Sequence, residues 1–378
     1  MRVTVIAEYY PRPHDPVSGV WAHRQALAAR DAGADVRVIV LDRPLRSRPA
    51  QLLAELRAAA RRPRTWTLDG IEIEYARFLS PPRRRSYARW HRWAQRPLAK
   101  TLDRGPAPDL VHAHYAHLAG AAALPWTGQR KIPLAVSVHG GDVLVPELAA
   151  TSAPVLRAAD LVLCNSRGTL QLAAGLAGRD DHMRVEHLGT DIPPEHELPP
   201  KHEHATIATL ANVDPRKRHE DVLQALPMLP ELRWSVIGDG PALPKIAALA
   251  RELGVEDRVW FAGRLPPEEA LAELARCHVM ALPSVDEAFG VAYVEALARG
   301  VPAIGCEGES GPEEIASLAA GMLLVPPRDP ASIAKAVRAA LADPALPAAA
   351  RAGAAAHFTW ERCGRETVAA YDDALRTR

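Results

Sequence analysis

At 378 residues the chain is long enough for two domains, each with its own core. The hydrophobic fraction of 48% is that of an ordinary globular protein, and a formal net charge of +1 argues against a globally basic nucleic-acid binder. Four scattered cysteines (Cys164, Cys277, Cys306, Cys363) form no CxxC pair, and no apolar run approaches the ~20 residues of a membrane span, so free thiols and a cytoplasmic location are expected, with no export signal ahead of the first strand.

In chain order, short apolar runs alternate with helical patterns. Strands are expected at Val3–Ala7, Val36–Leu41, Leu110–Ala113, Leu134–Val138 and Leu161–Cys164, then at Thr206–Leu210, Trp234–Ile237, Val259–Ala262, Val279–Leu282 and Pro302–Ile304. Several lack alternation, as parallel strands covered on both faces do. Helices are expected at Trp21–Ala32, His219–Leu226, Ala242–Leu253 and Pro267–Ala275. This rhythm, with right-handed crossovers, predicts an α/β protein of two doubly wound, Rossmann-like domains. The segment Ile192–His204 is rich in Pro, Glu and His and has no periodicity. It sets the expected boundaries: residues 1–192, a linker at 193–204 and residues 205–357, with 358–378 beyond them. Ligands of such domains gather beyond the C-terminal ends of the strands.

Charge is uneven along the chain. Between Leu45 and Arg104 there are 15 Lys/Arg against five Asp/Glu, a local +10 that leaves −9 on the rest. Within it, Arg83–Trp93 (RRRSYARWHRW) interleaves cations with aromatics. Three readings stay open: contact with anionic lipid headgroups, binding of a phosphorylated acceptor, or a cationic helical segment that packs its Trp residues. Nucleic-acid binding is a further reading but not the expected one.

The densest motif is PSVDEAFGVAYVEALARGVPAI, Pro283–Ile304. A strand ends at Leu282, a loop carries Glu287, and Gly290 opens a helix that Gly300 closes. Two helical glutamates eight apart would lie about 12 Å from each other, too far to share one substrate atom. With Glu287 in the loop and Glu295 inside the helix, they can grip two parts of one extended ligand. Backbone N–H groups at Phe289, Gly290 and Val291 can meet an anion between them, such as a diphosphate. The plainer reading is one solvated and one capping Glu.

This stretch resembles the E-x7-E signature of retaining, GT-B-fold glycosyltransferases of family 4. The similarity runs along nearly the whole chain. It includes PVSGVW (Pro16–Trp21), DLVHAH (Asp109–His114), HGGD (His139–Asp142), HLGTD (His187–Asp191), Lys217, IGDGP (Ile237–Pro241), FAGR (Phe261–Arg264) and FTWE (Phe358–Glu361). The resemblance implies a GT-B fold, with a C-terminal helix within 358–378, near Trp360–Arg376, that crosses back to the first domain. It also implies transfer of a sugar from a nucleotide diphosphate to a hydroxyl acceptor, lipid-linked or glycan, with retention and with neither cofactor nor metal. Gly19 would let the diphosphate approach, Lys217 would pair with its phosphates, and Glu287 would hold sugar hydroxyls. Glu295 would hold the ribose, and Arg264 and Leu265 would border the base. His139 would face the reacting centre, with Asp142 and Trp21 toward the acceptor. One departure stands out: the family's Arg-x4-Lys reads here Asn212 to Lys217, so Asn212 supplies no cation, and two readings stay open: Arg216 or Arg218 compensates, or fewer charges hold the phosphate.

Other features carry less. Gly238-Asp239-Gly240 follows a strand but lacks the third glycine of a dinucleotide fingerprint. His112, His114 and His117 have no carboxylate or Cys companions of metal-site spacing. No serine has the G-x-S-x-G setting of a hydrolase. Two alternatives to a transferase stay open: a nucleotide-sugar epimerase of GT-B fold, and a weakly catalytic sugar-nucleotide binding protein.

Overall fold

In the computed structural model, residues 1–44, 55, 57 and 62–377 are described. Part of the basic stretch Leu45–Arg104, and the side chains of Arg84 and Arg85, lie outside the described residues.

The chain divides into two units, Met1–His187 with Glu361–Arg378, and Leu188–Trp360. Among its described residues the first has eight strands: β1 (Arg2–Ala7), β2 (Asp35–Asp42), β3 (Thr65–Leu68), β4 (Ile71–Arg77), β5 (Leu110–His114), β6 (Leu134–Val138), β7 (Leu161–Cys164) and β8 (Met183–Val185). Their order across the sheet is β3-β4-β2-β1-β5-β6-β7-β8. All pairs are parallel except the β3–β4 hairpin. That hairpin turns on Asp69 and Gly70, both at positive φ, as a tight two-residue turn needs. The chain runs from β1 outward to one side and then restarts at β5 on the other, so the sheet reverses direction between β1 and β5.

Both faces of this sheet are covered. Val3, Val5 and Ala7 of β1, with Val38 and Val40 of β2, pack into one apolar cluster with the helix Val20–Asp31. Ile6, Ile39 and Leu41 point into the other, with the helices His91–Arg104 and Ala121–Arg130. Two-sided burial is why these strands read as continuous apolar runs.

The second unit has β9 (Thr206–Leu210), β10 (Arg233–Ile237), β11 (Val259–Gly263), β12 (Val279–Ala281), β13 (Ala303–Cys306) and β14 (Met322–Val325), ordered β11-β10-β9-β12-β13-β14 and parallel throughout. Its reversal lies between β9 and β12. Each unit is thus doubly wound, and the fold is α/β as expected.

The segment at 193–204 is not free-standing. His202 N donates to Arg276 O at 2.9 Å, Lys201 Nζ donates to Cys277 O at 2.6 Å, and Thr190 bridges to Thr359, all inside the second unit. The helix Trp360–Arg376 belongs to the first unit from Glu361 on. A Cβ on Gly364 would lie 2.2 Å from Ala28 O, so only glycine lets this helix lie so close, and Tyr371 Oη reaches His112 Nδ1 at 2.6 Å. Among the described residues, no helix is long and apolar enough to cross a membrane.

Candidate functional site

Open parallel sheets present their ligand sites where the winding reverses, beyond the strand C-termini. In the second unit that place is taken by the loops after β9 and β12. Asp214 opens the first loop, its Oδ1 accepting from Arg216 N at 2.9 Å, which caps the turn Pro215–Lys217. Lys217 then crosses to the second loop, where Nζ donates to Glu287 Oε2 at 2.5 Å. The pair is mostly sheltered, with side-chain exposures of 17% and 12%. Ser284 Oγ donates to the same Glu287 oxygen at 2.8 Å, and Glu287 N donates to Glu309 Oε2 at 2.7 Å. Tyr293 Oη donates to Leu282 O at 2.5 Å, tying helix to loop. Gly290 sits at φ 82° at the start of Val291–Ala298, and no side chain caps that helix. Its first N–H groups are therefore the kind that receive anions.

Glu295, half-buried one turn and more into this helix, does not join the pair. Burial lifts its carboxyl to about 6, against the pull of Arg299 and with help from Asp191. Phe289 is buried, its ring 6.0 Å from that of Phe358, so its backbone alone faces the loop. Arg264 and Leu265 follow β11, two strands from β9 on the same sheet edge, and Arg264 is exposed. Asn212 is exposed after β9. Of its two proposed substitutes, Arg218 is committed elsewhere: its guanidinium donates to Asp221 at 2.6 and 2.9 Å and to Glu220 at 2.6 Å. Arg216 is exposed, 3.9 Å from Asp214.

In the first unit the reversal between β1 and β5 holds an aromatic cluster. His139 lies 4.2 Å from Trp21 and 5.0 Å from Tyr115, centroid to centroid, and its ring stacks on His114 at 18°. His114 Nδ1 and His139 Nε2 are 3.0 Å apart. Behind them His112 meets Ser137 Oγ at 2.7 Å and the Tyr371 hydroxyl. Burial pushes His139 down to about 4 and His112 to about 3, so these imidazoles are neutral near pH 7. Tyr115 has φ 74° and opens a π-helical turn, Tyr115–Gly120.

Asp142 is fully buried, and its own loop engages its carboxylate. Oδ1 accepts from Ala116 N at 2.7 Å and Oδ2 from His139 N at 3.0 Å, with His117 Nδ1 at 3.3 Å from Oδ1. Burial would raise its carboxyl; the bonds from His117 and His139 outweigh that and hold it below the usual range. Asp142 is the post that fixes the His139 loop. Gly19 also has a nearer reason than diphosphate access: a Cβ there would lie 2.3 Å from Tyr9 C and O.

The basic stretch divides as well. Trp90 is buried and donates to Ser86 Oγ at 2.9 Å, while Arg83 lies over the Tyr87 ring at 4.1 Å and donates to Tyr9 Oη. Arg92, Trp93, Arg96 and Lys100 stay exposed on the helix His91–Arg104.

Sequence reasoning passed over Ser284, Tyr293 and Glu309 around Glu287, and over Tyr115 beside His139. Ser284 and Tyr293 lay inside the motif already singled out; Glu309 and Tyr115 carried no local signal.

Residues 18–192 match the family described as Glycosyltransferase Family 4, and residues 194–357 match Glycosyl transferases group 1. Together the two matches take in both units. The chain is a GT-B glycosyltransferase. Among relatives of this glycosyltransferase, a D-inositol 3-phosphate glycosyltransferase from Streptomyces bingchenggensis is 29% identical over 71% of this chain and 67% of that one. An exopolysaccharide phosphotransferase from Streptomyces coelicolor is 37% identical over 37% of this chain, but this chain spans only 15% of that protein's length. The Anabaena protein HepE, solved with UDP and glucose, superposes with a TM-score of 0.73 at 17% identity, covering 98% of this chain and 99% of that one.

Among the described residues of the glycosyltransferase, one group has metal-ligating atoms close together: His202, Glu273 and Cys277, within 4.8 Å of one another. It lies by the N-terminal ends of the strands, where His278 precedes β12, away from the edge that carries Glu287. Glu273 Oε1 already accepts from Ser235 Oγ at 3.0 Å and sits 2.9 Å from His202 Nε2.

Proposed function

We propose that the donor is a nucleotide diphosphate sugar held by the second unit, and that the acceptor is a hydroxyl held by the first. The carrying observation is the Lys217–Glu287 ion pair beside an uncapped helix N-terminus, at the winding reversal of its sheet. A diphosphate accepts from Lys217 and from the N–H groups after Gly290, while Glu287, released from Lys217 in part, accepts from sugar hydroxyls. Glu295 accepts from the ribose, Arg264 and Leu265 flank the base, and Arg216 supplies the cation that Asn212 lacks. Transfer breaks the bond from the anomeric carbon to the β-phosphate oxygen and forms one to the acceptor oxygen. The acceptor proton leaves on the diphosphate, and configuration is retained. Developing charge on the leaving group is met by donors already in place, which is where such sites gain most of their rate. Neutral His139 and the faces of Trp21 and Tyr115 line the acceptor side. No metal is needed for this charge balance.

HepE, named with UDP, makes UDP-sugars the first probes. A thermal-shift panel of UDP-, GDP- and ADP-sugars tests the donor, because a ligand bound to the folded state raises the midpoint by mass action. A flat panel would count against the donor reading. The anomeric coupling in the product's NMR spectrum tests retention, and product analysis without acceptor tests for epimerase chemistry instead. We further propose that Arg92, Trp93, Arg96 and Lys100 form the surface that touches anionic lipid.

A further inference from the structure

A second cluster stands on the C-terminal edge of the first unit's sheet. Asp42 and Arg77 are cross-strand neighbours at the ends of β2 and β4. Asp42 is buried, with Arg77 Nε 3.7 Å from one oxygen and Arg62 Nη1 3.8 Å from the other. Both distances are too long for hydrogen bonds. Arg77 is fixed from behind, donating through Nη2 to Arg62 O at 2.8 Å and Pro63 O at 2.7 Å. Arg12, in the loop after β1, is fixed likewise by Glu8 O at 3.0 Å. The three guanidiniums and Tyr75 surround a pocket of about 40 Å³, with His14 exposed at its rim.

The pocket has donors without acceptors. Arg12 Nε, Arg77 Nε and the Tyr75 hydroxyl are all buried and have no hydrogen-bond partner. Leaving such groups unmade is costly, and arrays of this kind persist where a ligand completes them. Three guanidiniums against one carboxylate leave +2 in the pocket, the charge of a phosphate monoester dianion with its sign reversed. At roughly 10–15 Å³ per water centre, the space suits a group of a few heavy atoms. Arginine forks match phosphate oxygens two at a time.

We infer that this pocket binds a phosphate monoester and, resting on the transferase reading above, that the acceptor carries it. Tyr75 donates to one phosphate oxygen, and Arg12, Arg62 and Arg77 hold the others.

The test is calorimetric titration of the full chain with inorganic phosphate, at fixed ionic strength in chloride and above the second phosphate pKa. Saturable one-to-one binding is expected. Tyr75→Phe removes only the unpartnered hydroxyl, so it should weaken phosphate about tenfold while leaving the melting midpoint unchanged or higher. Arg12→Gln should weaken it at least as much. Absence of saturable binding, or equal binding by both variants, overturns the pocket. A soluble sugar phosphate should bind more tightly than its dephosphorylated form. If phosphatidic acid vesicles bind in a Tyr75-dependent way and the soluble ester does not, the soluble acceptor is overturned in favour of a lipid. The UDP-sugar midpoint shift, measured on the same variants, should persist. If it is missing from the wild type while phosphate still binds, the transferase reading fails and the pocket stands.

Discussion

Taking the charge from one member of the Lys217–Glu287 pair separates its contribution to folding from its contribution to turnover. Glu287→Gln keeps the shape and the contact with Ser284, so the melting midpoint should fall by the equivalent of about 1 kcal/mol. The same change should lower kcat/KM about tenfold or more, because charge-assisted bonds to sugar hydroxyls are worth roughly 1.5–3 kcal/mol each. Lys217→Ala should lower kcat and should destabilise more than Glu287→Gln, since it leaves a sheltered carboxylate without its cation. Steady-state kinetics beside melting curves check both, and intact transfer in both would dismiss the site. Glu295 behaves differently. Its folded value of about 6 lies above the ordinary 4.5, so the folded state holds the proton more tightly than the unfolded chain. Stability therefore declines as pH rises from about 4.5 to 6 and stays lower above, by at most about 2 kcal/mol. Glu295→Gln should raise the midpoint at about pH 7.5, and that gain should vanish in acid. Donor affinity of the wild type should drop as pH falls through about 6, because the ribose needs the carboxylate. Melting and binding measured across pH would show both signs, and a flat affinity profile would remove Glu295 from the donor site.

The loops act as units. Asp142 gathers the N–H groups of Ala116 and His139, so Asp142→Ala strands two buried donors and should cost about 2–4 kcal/mol in urea unfolding. Asp142→Asn keeps an acceptor and should restore part of the loss; equal losses from both would mean the charge, not the scaffold, matters. On the helix His91–Arg104, Arg92→Gln with Arg96→Gln should reduce sedimentation with anionic vesicles, more at low salt than at high. Unchanged partitioning would leave that face a solvated one. The sequence made the long parallel strands legible because two-sided burial leaves a plain apolar run, as at Leu134–Val138 and Thr206–Leu210. It made Glu287 and Gly290 visible because local turn and helix signals bracket them, while Lys217 entered only through the family resemblance. The β3–β4 hairpin was legible in principle, from Asp69-Gly70 and the alternation of Ile71–Tyr75, but went unread in a stretch dominated by charge. Strands β8 and β14, three and four residues long, were not read, whereas the equally short β7, β12 and β13 were. The link from Glu309 to Glu287 N joins two loops across a strand and a helix, and the tie of Tyr371 to His112 spans most of the chain. Only packing creates such contacts. The backbone bonds of Asp142 were not legible either, because a carboxylate in a Gly-Gly-Asp string reads the same whether it meets a ligand or a backbone.

For the molecule as a whole, the proposed neutralisation of the diphosphate by Lys217 and a helix start predicts a reaction that needs no metal. Activity should survive excess EDTA; loss on chelation with rescue by Mn²⁺ or Mg²⁺ would refute it. A last consequence follows from the return of residues 361–376 to the first unit. That unit is interrupted by the second, so a ribosome must make all of Leu188–Trp360 before the first can be finished. Until then the place of Tyr371 over His112 and the close seat of Gly364 on Ala28 are bare, beside the apolar cluster that Ala370, Tyr371 and Ala374 complete. The second unit is continuous in sequence and can fold as it emerges. A chain cut short by premature termination near residue 360 is therefore a folded second unit tethered to a first unit with a greasy open flank, which makes it a client for chaperones and proteases before it is an enzyme of any kind.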